Sequence, residues 1–134
     1  MNKHERAIDQ AFSELDEILE EHTNCLEEGE NLLASGYLDS DRASKLLLKM
    51  RRTRGKLLSE IKRIIENLES TKNREMRDMA LGVLNYLALV GLDDEINIIT
   101  EISRRMHEES GNREFEEDIS QIKAMKERLL QFSF

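Results

Sequence analysis

The side chains of this chain best suited to chemistry are its carboxylates and its three histidines, His4, His22 and His107. All-helical metal proteins build sites from Glu-x-x-Glu or Glu-x-x-His motifs on facing helices. Glu14-x-x-Glu17 and Glu17-x-x-Glu20 have that spacing. They fall on the outer side of their helix, however, and the stretch opposite offers Lys62 and Arg63 where a second carboxylate pair is required. None of the three histidines has a glutamate three residues before it. A metal-dependent all-α hydrolase is therefore the third functional reading, with no metal ligands and no cofactor assigned.

Nucleophilic chemistry has less support. Cys25 is the sole cysteine, which excludes an intrachain disulfide and a cysteine zinc cluster. It sits in an apolar stripe with acidic neighbours, a setting that raises a thiol pKa and suits a small buried residue. Neither a Gly-x-Ser-x-Gly motif nor a phosphate loop occurs. No residue is expected to be catalytic, and the protein is not expected to be an enzyme.

The elements that position these groups are helices. The chain has no proline and six glycines, with 39% hydrophobic and 36% charged residues. That balance lies far from the composition of disordered chains. No window alternates long enough to argue a strand. Ile8, Phe12, Leu15, Leu19, Leu26 and Leu33 recur in steps of four and three, with vacancies at His22 and Gly29. This is a heptad seam, which Ala11, Ile18, Cys25 and Leu32 widen on one side. A second seam runs through Ala43, Leu47, Met50, Leu57, Ile61, Ile64 and Leu68, interrupted by Arg54.

A turn centred near Leu38 brings the two seams together as an antiparallel hairpin about 45 Å long. Leu19 then faces Leu57, Leu26 faces Met50, and His22 faces Arg54. A polar layer of His22 and Arg54 inside an apolar seam fixes alignment at some cost in stability. It also needs a counter-charge, and the acids within a turn of either, Glu21 and its neighbour Glu20, lie on the outer side. The carboxylate must then come from a C-terminal helix or from another subunit.

Beyond Ser70–Asn73, Met76 to Val90 is apolar on nearly every side and reads as a central buried helix. Gly91 and Leu92 read as its C-terminus, with Asp93 as the next N-cap. Ser110, Gly111 and Asn112 form a further stop before Phe115, Ile119, Ile122, Met125 and Leu129. The expected architecture is all-α: a long antiparallel, coiled-coil-like two-helix hairpin, with three shorter C-terminal helices packed on it as a bundle. A single domain over 1–134 holds helices near 3–34, 40–69, 73–90, 94–109 and 113–131. The terminal phenylalanines Phe132 and Phe134 suit core closure or partner docking.

Charge is strongly polarised. Residues 1–41 carry twelve acids against Lys3 and Arg6, whereas 42–63 carry nine cations against Glu60. On the second helix Arg42, Lys49, Lys56 and Arg63 recur every seven residues, with Lys45 and Arg52 between them, as one basic ridge. Glu14, Glu21 and Glu28 form the acidic ridge of the first helix. Read as pointing away from the seam, both ridges are poorly served by pairing inside the hairpin. Self-pairing, the acids Glu114, Glu116, Glu117 and Asp118, another subunit or a phosphate backbone are the candidates to neutralise them.

The leading functional expectation is a non-enzymatic helical protein–protein interaction module: a small adaptor, inhibitor or regulator using its charged ridges, with a homodimer as one form. The alternative is a nucleic-acid-binding regulator using the basic ridge. No aromatic is interleaved with those cations, and the pI is near 5.0. The start, MNKHERAIDQ, lacks the apolar segment of a signal peptide, and Met79–Leu92 is too short to span a bilayer. A cytoplasmic location without a membrane partner is expected.

Overall fold

Asn2 starts the first helix. Its side chain accepts from the Glu5 N–H at 2.8 Å while the Glu5 carboxylate accepts from the Asn2 N–H at 3.0 Å, a reciprocal capping box. Helix α1 then runs Lys3–Ala34. Asp39 caps α2, Ser40–Leu68, by accepting from the Arg42 N–H, and Asn73 caps α3, Arg74–Tyr86, by accepting from the Met76 N–H. A π-helical turn, Leu87–Gly91, leads into α4, Leu92–Ser110, and α5 covers Glu116–Leu130. This computed structural model describes residues 1–110 and 115–132. The stop expected at Gly111 and Asn112, the acid Glu114, and the terminal Ser133 and Phe134 lie outside them.

Helices α1 and α2 form the expected antiparallel hairpin. Ile8, Ala11, Leu15 and Leu32 bury against Ala43, Leu47, Met50, Leu57 and Ile64, all at most 3% exposed. The C-terminal part differs from expectation at Gly91, where the helix continues. The Leu92 N–H bonds the Leu87 carbonyl, five residues back, so the chain stays helical from Arg74 to Ser110. A local stop signal is overridden here by burial on both sides. Leu87, Gly91 and Glu95 all face the core in two successive steps of four, and the wide π turn absorbs the residue that a heptad cannot.

This continuous run lies parallel to α1 along its whole length. The Asn73 N–H bonds Glu5 at one end, Gly91 lies against His22 midway, and Arg105 bonds the Ser35 carbonyl at the other end. Helix α5 returns antiparallel to it, with Lys126 bonding Asp93 and the Asn85 side chain bonding the Phe132 carbonyl. The result is an up-down-up-down four-helix bundle whose fourth member has only 15 residues, against 32 in α1. Phe115 is fully buried, and Phe132 packs half-buried against the core.

The two mid-helix glycines of the hairpin have different causes. A Cβ on Gly29 would sit 2.5 Å from Ile98 Cγ2, so the bare backbone lets α4 approach α1. A Cβ on Gly55 would meet nothing within 4 Å. Replacing Gly55 by alanine is expected to stabilise the fold by about 0.5–1 kcal/mol, read as a higher urea midpoint with unchanged slope.

Candidate functional site

His22 and Arg54 occupy the same level of the bundle, 4% and 3% exposed, and both reach Glu95 of α4. The His22 Nε2 lies 3.5 Å from Glu95 Oε2, and Arg54 Nη2 donates to Glu95 Oε1 at 3.3 Å. Glu95 is completely buried. Arg54 Nη1 also donates to Asp118 of α5 at 2.9 Å and to Gln121 at 3.0 Å. Arg51 closes the layer with a two-pronged grip on Asp118, at 3.0 and 2.8 Å.

Both counter-charges thus come from C-terminal helices, one from α4 and one from α5. Two guanidinium groups, of Arg51 and Arg54, face the two carboxylates of Glu95 and Asp118. Burial pushes the Asp118 carboxyl up, but the hydrogen bonds from Arg51 and Arg54 outweigh it and hold the group below the ordinary aspartate range. The Arg54 Nε is buried with no hydrogen-bond partner among the described residues. Gly91 lies beside this layer: a Cβ there would be in ordinary contact with the His22 Cε1, at 3.8 Å, and tighter against Leu87 Cδ2, at 3.3 Å.

The ridges do not point apart. Lys49 meets Glu28 at 3.3 Å, Lys56 meets Glu21 at 3.2 Å, and Arg63 meets Glu14 at 3.7 Å, a ladder along one edge of the hairpin. The wide stripe explains the correction. Burial of Ala11, Ile18 and Cys25 against Leu46, Thr53 and Glu60 turns both helices toward this edge and brings the ridges within reach. Arg63 also lies 3.5 Å from Glu60. The remaining ridge cations, Arg42, Lys45 and Arg52, make no ion pair among the described residues. These solvated pairs contribute little. A double-mutant cycle on Glu21 and Lys56 is expected to give a coupling of about 0–1 kcal/mol that vanishes in concentrated salt.

Cys25 lines a cleft of about 270 Å³ beside this ladder, with Thr53, Arg52 and Asn24. Burial pushes its thiol up, with a smaller contribution from Glu28, so the thiolate needed for reactivity is disfavoured. Among the described residues no group of three or more histidine, cysteine or acidic side chains is placed to hold a metal ion.

The surface least expected from the sequence is on the third helix. Met76 to Val90 does not form a helix buried all round, because the short bundle supplies no neighbour on one side. Met79, Tyr86, Leu89 and Val90 are 54%, 52%, 59% and 43% exposed. Met79 and Tyr86 lie two turns apart on one face, and Val90 follows Tyr86 by a further turn. Gly82 lies between Met79 and Tyr86, with open space where its Cβ would be. Beside Met79, a groove of about 200 Å³ is lined by Phe12, Met76 and Met79, with Asp9 and Glu75 at its rim.

Several acids of α1 remain uncompensated, and of these Asp9 lies beside Met79. Once Glu14, Glu21 and Glu28 are paired, Asp9, Asp16, Glu17, Glu20, Glu27 and Glu30 of α1 stay exposed, without an ion pair among the described residues. No lysine or arginine occurs between Arg6 and Arg42 to offset them. Sequence reasoning missed this apolar face because periodicity shows how many sides of a helix are apolar, not how many neighbours arrive to cover them. No helix among the described residues is long and apolar enough to cross a membrane. No protein-family model matches this chain, and no curated protein or solved structure matches it either.

Proposed function

We propose that the protein is a non-enzymatic, cytoplasmic helical interaction module, a small adaptor, inhibitor or regulator that binds another protein through the open face of its third helix. The observation that carries this reading is the row Met79, Tyr86, Leu89 and Val90, four large apolar side chains exposed along one helix. Apolar groups clustered this way mark interaction sites, whereas isolated ones do not. The groups best suited to chemistry support the same reading. His22, Glu95, Arg54 and Asp118 are all at least 95% buried and are bonded to one another, which gives them a structural occupation.

The self-paired ladder moves recognition away from the ridges. Lys49, Lys56 and Arg63 already face carboxylates, which leaves a nucleic acid only Arg42, Lys45 and Arg52 of the basic ridge. A retention experiment from the source cell tests the proposal. Wild-type protein is compared with the triple variant Met79→Ser, Tyr86→Ser, Leu89→Ser and with the ladder-reversed pair Glu21→Lys, Lys56→Glu. Proteins retained by the wild type and the reversed pair but lost by the triple variant are the expected result. Retention unaffected by the triple variant refutes the reading.

A further inference from the structure

Resting on that reading, we infer that the partner element is a basic amphipathic helix, which lays apolar side chains along Met79, Tyr86 and Val90 and sets its lysines and arginines against the carboxylates that flank them. The shape of the site argues for a helix. Met79, Tyr86 and Val90 span 11 residues of helical rise, about 16 Å, which matches three turns of a partner read at i, i+4, i+7 and i+11. Gly82 leaves the backbone bare at the middle of that row, where a partner helix can approach closely. The groove formed by Phe12, Met76 and Met79 receives one apolar side chain at the end of the row. Methionines suit such a groove because their unbranched side chains repack around different shapes.

Charge selects the class of partner. Asp9 and Glu75 stand at the rim of the groove, Asp78 precedes Met79, and Asp94 lies one turn beyond Val90. All four are exposed, and none forms an ion pair among the described residues. Asp16, Glu20 and Glu27 are further exposed acids of α1. The nearby cations are few. Arg77 is committed to the carbonyls of Leu68 and Thr71, which leaves Arg74 of α3 and Lys72 just before it as the exposed cations at this end. An acidic partner would meet repulsion on both sides of the apolar row, whereas a basic one would be steered onto it.

The test uses the full chain and two fluorescent helical peptides of about 16 residues that share one apolar face read at i, i+4, i+7 and i+11. One peptide carries lysine and arginine on its flanks, the other glutamate. Anisotropy at low salt is expected to show the basic peptide binding at least about tenfold more tightly than the acidic one, with the preference falling as salt rises. The Tyr86→Ser, Leu89→Ser variant is expected to lose at least tenfold of that binding, and Glu75→Lys, Asp78→Lys to lose the preference for basic flanks. Circular dichroism establishes that these surface variants remain folded.

Equal binding of the two peptides overturns the proposal, as does basic-peptide binding that the Tyr86→Ser, Leu89→Ser variant leaves intact. Sedimentation showing that this face is already covered by a second copy of the chain overturns it too, as does preferential binding to uncharged lipid vesicles. Failure of the peptides together with successful retention of a protein through Met79, Tyr86 and Leu89 refutes the basic helix alone. Failure of both experiments refutes the interaction reading itself.

Discussion

Replacing Arg54 by methionine is expected to lower folding stability by about 3–5 kcal/mol, the usual cost of leaving buried charge without its partner. The substitution keeps most of the side-chain length but removes the donors to Glu95, Asp118 and Gln121 together. Asp118 would keep Arg51, whereas Glu95, fully buried, would be left with His22 at 3.5 Å. The added change Glu95→Gln removes the stranded charge and is expected to recover about half of the loss or more, because the two sites act as one unit. Urea midpoints for the single and double variants measure this. A loss below about 1 kcal/mol in Arg54→Met would mean that water already reaches the layer.

The same layer sets an acid limit. Asp118 titrates below the ordinary aspartate range in the folded protein, so its pairing stabilises the fold above the unfolded-state pKa, near 4. That contribution disappears as pH falls through the lower folded value. An Asp118→Asn variant, already without the charge, is expected to be less stable at neutral pH and to approach the wild type as the solution is acidified.

Gly29→Ala is the second large effect. Alanine in place of a mid-helix glycine ordinarily gains about 0.5–1 kcal/mol, as expected at Gly55. At Gly29 the new methyl would meet Ile98 Cγ2 at 2.5 Å, and Ile98 is 7% exposed on a helix held at both ends. Overpacking of this kind costs about 1–3 kcal/mol, so the variant is expected to be destabilised overall. The cost is attributable to Ile98 if Gly29→Ala does less damage in an Ile98→Ala background, where that methyl is absent. Both differences are read from chemical unfolding.

The contrast between the two glycines bears on what could be read in advance. Both stand inside helical patterns, and nothing local tells them apart; only the arrival of α4 against α1 does. The hairpin was legible because its seams repeat over many turns. The polar layer was legible because His22 and Arg54 interrupt both seams at the same level. Their counter-ions were not, since Glu95 and Asp118 come from helices 41 and 64 residues beyond Arg54.

Two local signals gave way to tertiary structure. Gly91, Leu92 and Asp93 spell a helix stop followed by a cap, yet burial of Leu92 and Glu95 keeps the chain helical through a π turn. The charged ridges were placed on outward sides because the seam alone set the facing direction. The second apolar stripe, through Ala11, Ile18 and Cys25, rotates that direction and turns two apparent binding ridges into a ladder of mutual pairs. The apolar stretch from Met76 to Val90 reads as core on every side, yet only its Ala80, Leu84, Leu87 and Ala88 face is buried, and Met79, Tyr86, Leu89 and Val90 stay open.

We propose that the protein meets its partner at this open face. The most direct test is a photo-crosslinking amino acid placed at Leu89, with a second probe on the paired ladder edge at Arg52, and irradiation in the source cell. A discrete adduct with another protein from position 89, and none from position 52, is the expected result. Adducts from position 52 alone, or background labelling at position 89, would contradict it.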